Sequence, residues 1–310
     1  MAQKAVINIA ESVKSRLYQI AKRDHIDFNL VLNNYALERF LYRLSRSQWS
    51  DRFLLKGALL FRLWYKTPFR PTRDIDLEGK TNNDLNEIIE IFKGICDTKV
   101  AEDGIVFLPE TVKGEENRKK EDYNGIEIVF RARIDRTDIP VQVDIGFGDA
   151  VEPSSQKVEY PVLLDFPIPQ MLVYPLYSMI SEKFQIMVKM GITNSRMKDY
   201  YDLWVISQHS DIDGKLLSQA IEATFKKRGT PIPADIPLAL DEQFSGDHLK
   251  QKQWTAFLRR IDVPETTPSL KDIVVVLRRL LMPLIAALLN EKAYMKTWKA
   301  SKGWVEKYSK

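Results

Sequence analysis

Residues 70–78 read RPTRDIDLE and contain the pattern that decides the fold. The alternation in Asp74-Ile75-Asp76-Leu77 is typical of a short β-strand, on which every second side chain shares a face. Asp74 and Asp76 would therefore project together, away from the two apolar residues. Two carboxylates held this close repel each other and are stabilised by a cation between them. The pair predicts either a metal site or, as with many short motifs, a strand end with two solvated acids.

The segment before this strand predicts a place for phosphate. Residues 53–64, FLLKGALLFRLW, indicate a strand that turns into a helix at Gly57. Such a turn leaves backbone N–H groups available to an anion. Lys56, Gly57 and Ala58 are therefore candidate nucleotide-binding residues.

A third carboxylate follows in a predicted β-hairpin. Apolar residues alternate over 126–134 and again over 141–145, and a polar turn at 135–138 separates them. The pattern predicts a mixed or antiparallel sheet. Asp144 lies among the outward residues of the second strand, where it could complete a divalent-metal site or act only as a hairpin-end acid.

The rest of the chain is mainly helical. A change of periodicity at Pro167 and Pro169 predicts an α/β lobe at residues 1–168, including N-terminal helices, and a helical lobe at residues 169–310. We expect helices at 12–24, 29–45, 83–95, 175–190, 196–208, 214–226 and 269–289. Residues 113–122 are rich in balanced charge and indicate a solvated loop or hairpin tip, and residues 231–246 favour no element.

Composition excludes several classes of protein. With 45% hydrophobic and 28% charged residues, the chain has the composition of a globular protein and not of a disordered one. At 310 residues it can bury a large core and needs no disulfide bond or structural metal ion to fold. One cysteine and three histidines give no disulfide and a poor zinc site. Charges interrupt the most apolar stretch, residues 270–290, and the N-terminus has no secretory h-region, so no membrane association and a cytoplasmic location are expected. A net charge of +4 is compatible with nucleic-acid binding but is too small to predict it.

A second cluster of charged residues lies in the predicted helical lobe and comprises Glu182, Lys183, Arg196, Lys198, Asp199 and Asp202. Arg196, Asp199 and Asp202 are spaced i, i+3, i+6 and line one helix stripe. This spacing is typical of an exposed ladder of ion pairs. A lysine beside acids would also suit a triphosphate, since the ammonium acts as a point charge on phosphate oxygens.

Taken together, the motifs resemble the AbiEii toxin family, which includes the MenT toxins, within the nucleotidyltransferase superfamily. The resemblance covers roughly residues 53–203 and rests on four motifs in order: Lys56-Gly57-Ala58-Leu59, Arg70-x-Thr72-x-Asp74-Ile75-Asp76, Ser181-Glu182-Lys183 and Arg196-x-Lys198-Asp199-x-x-Asp202-Leu203. It implies a nucleotidyltransferase-like mixed sheet followed by a helical lobe.

The resemblance also implies a function. The chain would be a metal-dependent nucleotidyltransferase, the toxin of a toxin–antitoxin or phage-defence pair, neutralised by a cognate antitoxin protein. It would move a nucleotide from an NTP to the 3′ end of tRNA and so block translation. An alternative is a non-catalytic protein that binds nucleotide or antitoxin, although a dead site has no need of clustered like charges. Another is a transferase that acts on a protein hydroxyl or a small molecule.

Site residues carry over onto matching positions. Asp74 and Asp76 would bind Mg²⁺, with Asp144 added from the three-carboxylate logic of the superfamily. Lys183 and Asp199 would complete the nucleotide site, with Asp202 as a further motif acid and Glu182, Arg196 and Lys198 beside them. One departure is that Ala58 follows Gly57 where the superfamily usually has serine or glycine. Backbone N–H groups, Lys56 or Thr72 would then compensate for the missing hydroxyl.

The C-terminal residues 292–310 suggest an RNA-binding segment. Lysines alternate with aromatic residues against a single acid, Glu306, and such a pattern can neutralise phosphates and stack on bases. The lysines are at 292, 296, 299, 302, 307 and 310, and the aromatic residues are Tyr294, Trp298, Trp304 and Tyr308. The alternative is a terminal amphipathic helix docked by Tyr294 and Trp298, with its lysines solvated.

Overall fold

A computed structural model describes residues 8–66, 69–117, 125–261 and 267–307. The described chain forms two compact units. The first lies within Met1–Gly148 and Gln156–Tyr174, and the second within Asp149–Ser155 and Pro175–Lys310. The predicted division of the chain into an α/β lobe at residues 1–168 and a helical lobe at residues 169–310 stays a prediction.

The first unit is built on a seven-stranded mixed sheet, which confirms the predicted fold class. Its strands are β1 (Phe53–Lys56), β2 (Asp74–Gly79), β3 (Val106–Asn117), β4 (Gly125–Ile134), β5 (Thr137–Phe147), β6 (Gln156–Glu159) and β7 (Gln170–Val173). They are ordered β3-β4-β5-β2-β1-β7-β6. Strand β2 runs parallel to β5 and β1 runs parallel to β7, while the other neighbours are antiparallel.

Alternating side chains explain why β4 and β5 pair as predicted. In β4 the apolar positions are buried and the positions between them are more exposed. Residues Ile126 to Ile134 lie opposite Ile145 to Thr137 in antiparallel register. One-residue slippage would turn the apolar set toward solvent, so the pattern fixes the register.

Helices cover the sheet in this unit. They are α1 (Ile9–Asp24), α2 (Phe28–Arg46), α3 (Leu59–Tyr65) and α4 (Leu85–Cys96). The ring of Phe40 in α2 packs against Phe92 of α4 and Phe130 of β4, with ring centroids 5.6 and 4.8 Å apart. These buried aromatic contacts fix two helices on the sheet, because each large ring removes much apolar surface from water.

The second unit is mainly helical. Its helices are α5 (Leu176–Met190), α6 (Met197–His209), α7 (Gly214–Lys227), α8 (Glu242–Gly246), α9 (His248–Ile261) and α10 (Leu270–Leu289). A small antiparallel sheet comprises β8 (Ile212–Asp213), β9 (Thr297–Lys299) and β10 (Gly303–Val305), ordered β10-β9-β8. Among the described residues, no helix combines the length and the apolar character that a bilayer crossing requires.

Residues 113–122 were expected to form a solvated loop or a hairpin tip. Residues 113–117 are the end of β3 and pair with β4 after a register shift, so they belong to a β-hairpin and are not a loop. Residues 118–124 lie outside the described residues. The C-terminal segment is not a helix, because Trp298 and Trp304 lie opposite each other in the β9–β10 pair. Residues 231–246, which favoured no element, contain a 3₁₀ turn at Leu238–Leu240 and helix α8.

Candidate active site

Three neighbouring strands of the first unit place charged residues in one row. Lys56 of β1 lies opposite Asp76 of β2, and Asp76 lies beside Asp144 of β5. Glu127 of β4 extends the row, since it pairs with Asp144. Residues in cross-strand register point to the same face of a sheet. The row therefore gathers two of the predicted metal ligands, and Asp74 stands two residues before Asp76 on the same face.

Electrostatic repulsion marks this row of carboxylates. Burial, together with the negative charges of Asp76 and Asp74, raises the pKa of Asp144 to about 6. The Gln142 amide opposes this by donating to Asp144 at 3.4 Å and also donates to Glu127 at 2.9 Å. The surroundings of Asp144 therefore disfavour its charged form.

The donor set fits a divalent cation. Half-buried carboxylates that repel one another are stabilised by an ion between them, and oxygen is the ligand that Mg²⁺ prefers. Within the described ranges, however, no group of three His, Cys, Asp or Glu side chains lies close enough together to bind a metal ion. Asp74, Asp76 and Asp144 would therefore have to converge on the ion. The hydroxyl of Thr72 donates to Asp74 at 2.5 Å and so fixes the position of that carboxylate.

The turn after β1 is fitted around Asp76. Gly57 has φ +75°, a backbone conformation that favours glycine. A Cβ atom at this position would lie only 1.8 Å from Oδ2 of Asp76. Ala58 is buried, and the seven-residue helix α3 begins directly after it. The glycine therefore lets the main chain pass against the Asp76 carboxylate.

Lys56 has an ion-pair partner within the first unit. Its ammonium donates to Oε2 of Glu78 at 2.9 Å, and the Glu78 residue is only 2% exposed. The same ammonium lies 5.4 Å from the ring centroid of Tyr174. These contacts fix Lys56 next to the acidic row, where its positive charge partly balances the carboxylates.

The second predicted cluster is brought together inside the second unit. Nζ of Lys183 donates to Asp199 at 2.6 Å and to Asp202 at 2.9 Å, which joins α5 to α6. Arg196 donates to the other oxygen of Asp199 at 2.5 Å. The side chains of Asp199 and Asp202 are 0% and 1% exposed. The stripe is therefore a buried network and not an exposed ladder of ion pairs.

Asp199 remains charged because its partners outweigh its surroundings. Burial by itself would raise the pKa of Asp199, but the charges and hydrogen bonds of Lys183 and Arg196 lower it well below the usual range. The remaining two residues of the predicted cluster lie elsewhere. Lys198 is exposed, and Glu182 pairs with Arg228 at 3.4 Å.

Several residues that support these clusters were not predicted. The Asn194 side chain accepts from the backbone N–H of Arg196 at 2.9 Å and so positions the start of α6. Its backbone carbonyl accepts from the buried Lys250 at 3.0 Å. An asparagine shortly before a helix is a turn signal that could have revealed the first contact. No local signal reveals Lys250, because its partner is 56 residues away.

Three lysines of the C-terminal segment form ion pairs. Lys296 binds Glu306 at 2.6 Å, Lys299 binds Asp211 at 2.7 Å, and Lys307 binds Asp213 at 2.8 Å. The indole of Trp298 is 3% exposed and donates to the Ser207 carbonyl at 2.8 Å, while Trp304 packs on Tyr294. Tyr308 and Lys310 lie outside the described residues. These contacts favour a structural role for the described part of the segment.

Comparisons with known proteins identify relatives of this arrangement. The family model described as nucleotidyl transferase AbiEii toxin, type IV TA system, matches residues 39–276. The structure is similar to that of MenT4, a nucleotidyltransferase toxin from Mycobacterium tuberculosis H37Rv, with a TM-score of 0.50 and 15% identity over 91% of this chain and 99% of the other. It is also similar to JHP933 from Helicobacter pylori, with a TM-score of 0.48 and 13% identity over 84% of this chain and 94% of the other. No curated protein matches the sequence. At such identities the likeness to MenT4 concerns the fold.

Proposed function

Because the chain belongs to the AbiEii nucleotidyltransferase toxin family, we propose that it transfers a nucleotide from an NTP to the 3′ end of tRNA. A tRNA with a blocked acceptor end cannot be aminoacylated, and translation stops. The toxin would act in the cytoplasm, where both substrates are found, and a cognate antitoxin protein would neutralise it. Such a pair would serve in phage defence. The observation that carries the proposal is the row of carboxylates on β2 and β5, with Gly57 fitted against Asp76.

The transfer exchanges one phosphoester bond for another. The acceptor hydroxyl forms a bond to the α-phosphorus, the bond to the β-phosphate oxygen breaks, pyrophosphate leaves, and the hydroxyl proton passes to solvent. Mg²⁺ held by Asp74, Asp76 and Asp144 would neutralise negative charge on the triphosphate. Catalysis of this kind depends chiefly on positioning and electrostatics.

The residues of the chain have distinct proposed roles. Gly57 and Thr72 hold the carboxylates of Asp76 and Asp74 in place, as their contacts indicate. Lys183 would attract phosphate oxygens with an ammonium whose position Asp199 and Asp202 fix. Arg196, through its bond to Asp199, keeps that acid charged. Glu182 and Lys198 would have secondary roles, since neither is part of this buried network in the described structure.

An assay with four labelled nucleotides tests the proposal. Each NTP, labelled at the α-phosphate, is incubated with the protein, Mg²⁺, and total RNA and protein from a cell extract. We expect the label to appear in RNA of tRNA size. Asp76→Asn should lower transfer by at least about 100-fold, the order lost when a group that positions reacting charge is removed.

The matched control removes a carboxylate from the same unit away from the row. Asp97→Asn, at the exposed end of α4, should transfer nucleotide like the wild type. Label in the protein fraction would identify a different acceptor and contradict the tRNA proposal. No label in any fraction would favour a protein that only binds nucleotide or antitoxin.

A further inference from the structure

Helix α9 presents a basic face to solvent. His248, Lys252, Arg259 and Arg260 are all exposed, and the first three are spaced 4 and 7 residues apart, which places them along one stripe. The whole helix, HLKQKQWTAFLRRI, contains no aspartate or glutamate. The opposite face of the helix packs against the rest of the second unit. Its buried apolar residues are Trp254, Phe257 and Ile261. The helix is therefore amphipathic, and the charged residues of its outer face are all basic.

These cations differ from the lysines of the C-terminal segment. No acidic side chain in the described parts of the chain forms an ion pair with Lys252 or Arg259, whereas Lys299 and Lys307 each bind an aspartate. A charge that the protein does not neutralise itself attracts a partner of opposite sign. Helix α9 therefore carries a stripe of positive charge that the protein does not itself neutralise, whereas three lysines of the C-terminal segment are bound to acids.

The stripe also has a shallow concave shape. A depression of about 390 Å³ is lined by His248, Gln251, Lys252, Thr255, Ala256 and Arg259. Its lining includes the small side chains of Thr255 and Ala256, which lie between Lys252 and Arg259 in the sequence. Those two residues are separated by roughly 10 Å along the helix axis, from a rise of about 1.5 Å per residue. A polyanion strand could therefore lie against the helix with a cation on each side.

We propose that the outer face of α9 binds the phosphate backbone of the acceptor RNA. This inference rests on the proposed transfer to RNA and names the surface that holds the acceptor. Phosphate contacts are made by lysine and arginine and need no apolar anchor. A protein interface would need a buried apolar or aromatic centre, and a membrane surface would need an apolar helix face. On this face Leu249 is the large apolar residue that is exposed, at its N-terminal end.

The inner face holds α9 rigidly enough for such a role. Lys250 donates to the Asn194 carbonyl at 3.0 Å and lies 5.3 Å from the ring centroid of Phe244. The rings of Trp254 and Phe257 pack in a tilted arrangement with centroids 5.6 Å apart. A fixed helix presents its cations without a large ordering cost, which favours binding.

Binding of purified tRNA at several salt concentrations tests the proposal. The double variant Lys252→Gln/Arg259→Gln removes two phosphate contacts, so the slope of log K against log salt should become shallower by about 1.4 to 1.8. Affinity at low salt should fall about 10-fold or more, while transfer at saturating tRNA should remain unchanged. Lys226→Gln/Lys227→Gln is the matched control, because it removes two exposed lysines from the end of α7. Its slope should equal that of the wild type.

The outcomes separate this inference from the proposed function. If the wild type labels tRNA but the α9 variant keeps the wild-type salt slope, the surface is wrong and the function stands. If the control variant loses as much slope, binding follows net charge and the surface is again wrong. If the α9 variant binds tRNA normally but escapes inhibition by the co-expressed antitoxin, the face binds that protein instead. If the wild type neither binds nor labels tRNA, the proposed function fails first, and the α9 surface fails with it.

Discussion

At residue 57 the main chain passes so close to the Asp76 carboxylate that a side chain at this position would overlap with it. Gly57 resolves this conflict because it lacks a Cβ atom and accepts φ +75° without strain. Its position therefore has two separable requirements, one for backbone conformation and one for space. Gly148 shares only the first, since it has φ +82° and nothing within 4 Å of its Cβ position.

Substitution of these two glycines tests the role of the close contact. Gly57→Ala and Gly148→Ala should both lower the free energy of unfolding, by about 1–3 kcal/mol for the strained backbone. Gly57→Ala alone should also displace the Asp76 carboxylate and lower nucleotide transfer at least about 10-fold. Chemical denaturation and the labelled-NTP assay measure the two effects. Equal losses of transfer in both variants would show that the contact with Asp76 does not matter for activity.

The buried acids of α6 illustrate what residue spacing can and cannot predict. Arg196, Asp199 and Asp202 do share one side of the helix, as their spacing indicates. Whether that side faces solvent depends on Lys183, which comes from another helix. Spacing within one element does not contain this information. A buried acid that loses its partner is costly, by about 3–5 kcal/mol, so these residues depend on one another.

At the scale of elements, periodic patterns were the reliable guide. Strands β4 and β5 alternate cleanly, and α5, α6 and α7 begin and end within one residue of the predicted bounds. Each of these elements buries one face, so its sequence carries the period of its structure. The same pattern predicts which side of β2 bears Asp74 and Asp76. It cannot predict that β5 lies next to β2, because strand order depends on the whole sheet.

In other elements the hydrophobic periodicity of the sequence is weak or suggests the wrong secondary structure. Helix α9 was not predicted, although Trp254, Phe257 and Ile261 follow one another at helical spacing, because the first buried position of that face is the charged residue Lys250. The i, i+4 spacing of Tyr294 and Trp298 suggested a helix, yet both rings pack on Trp304 of a β-hairpin. Pairing of β9 with β8 decides the matter, and that pairing joins residues about 85 positions apart, as with Ile212 and Trp298. Long-range contacts of this kind override local preference.

The C-terminal hairpin should therefore contribute to stability and not to RNA binding. Trp298→Ala leaves a cavity and removes the hydrogen bond from the indole to the Ser207 carbonyl, and we expect a loss of about 3–5 kcal/mol in the free energy of unfolding. Trp298→Phe keeps an aromatic ring and should lose less. In both folded variants the salt slope of tRNA binding should match the wild type. A shallower slope in a variant of unchanged stability would instead place RNA on the hairpin.

For the whole molecule, a net charge of +4 conceals two opposite local charges. One unit carries carboxylates that repel one another, with the pKa of Asp144 raised to about 6 by burial and by neighbouring acids. The other carries the cationic face of α9. Positive and negative partners would bind at different places on the chain, so their effects on stability can be measured one at a time.

Binding of Mg²⁺ and nucleotide should stabilise the folded protein through the carboxylates. A ligand at 100 times its dissociation constant adds about 2.7 kcal/mol to the free energy of unfolding. We expect thermal melts with Mg²⁺ and a non-hydrolysable NTP to show an upward shift in Tm, and excess EDTA to abolish it. Asp76→Asn should show no ligand-induced shift, since it removes one of the carboxylates that would hold the cation. Asp97→Asn should behave like the wild type. A shift of wild-type size in EDTA, or in Asp76→Asn, would mean that nucleotide binds without a cation held by these residues.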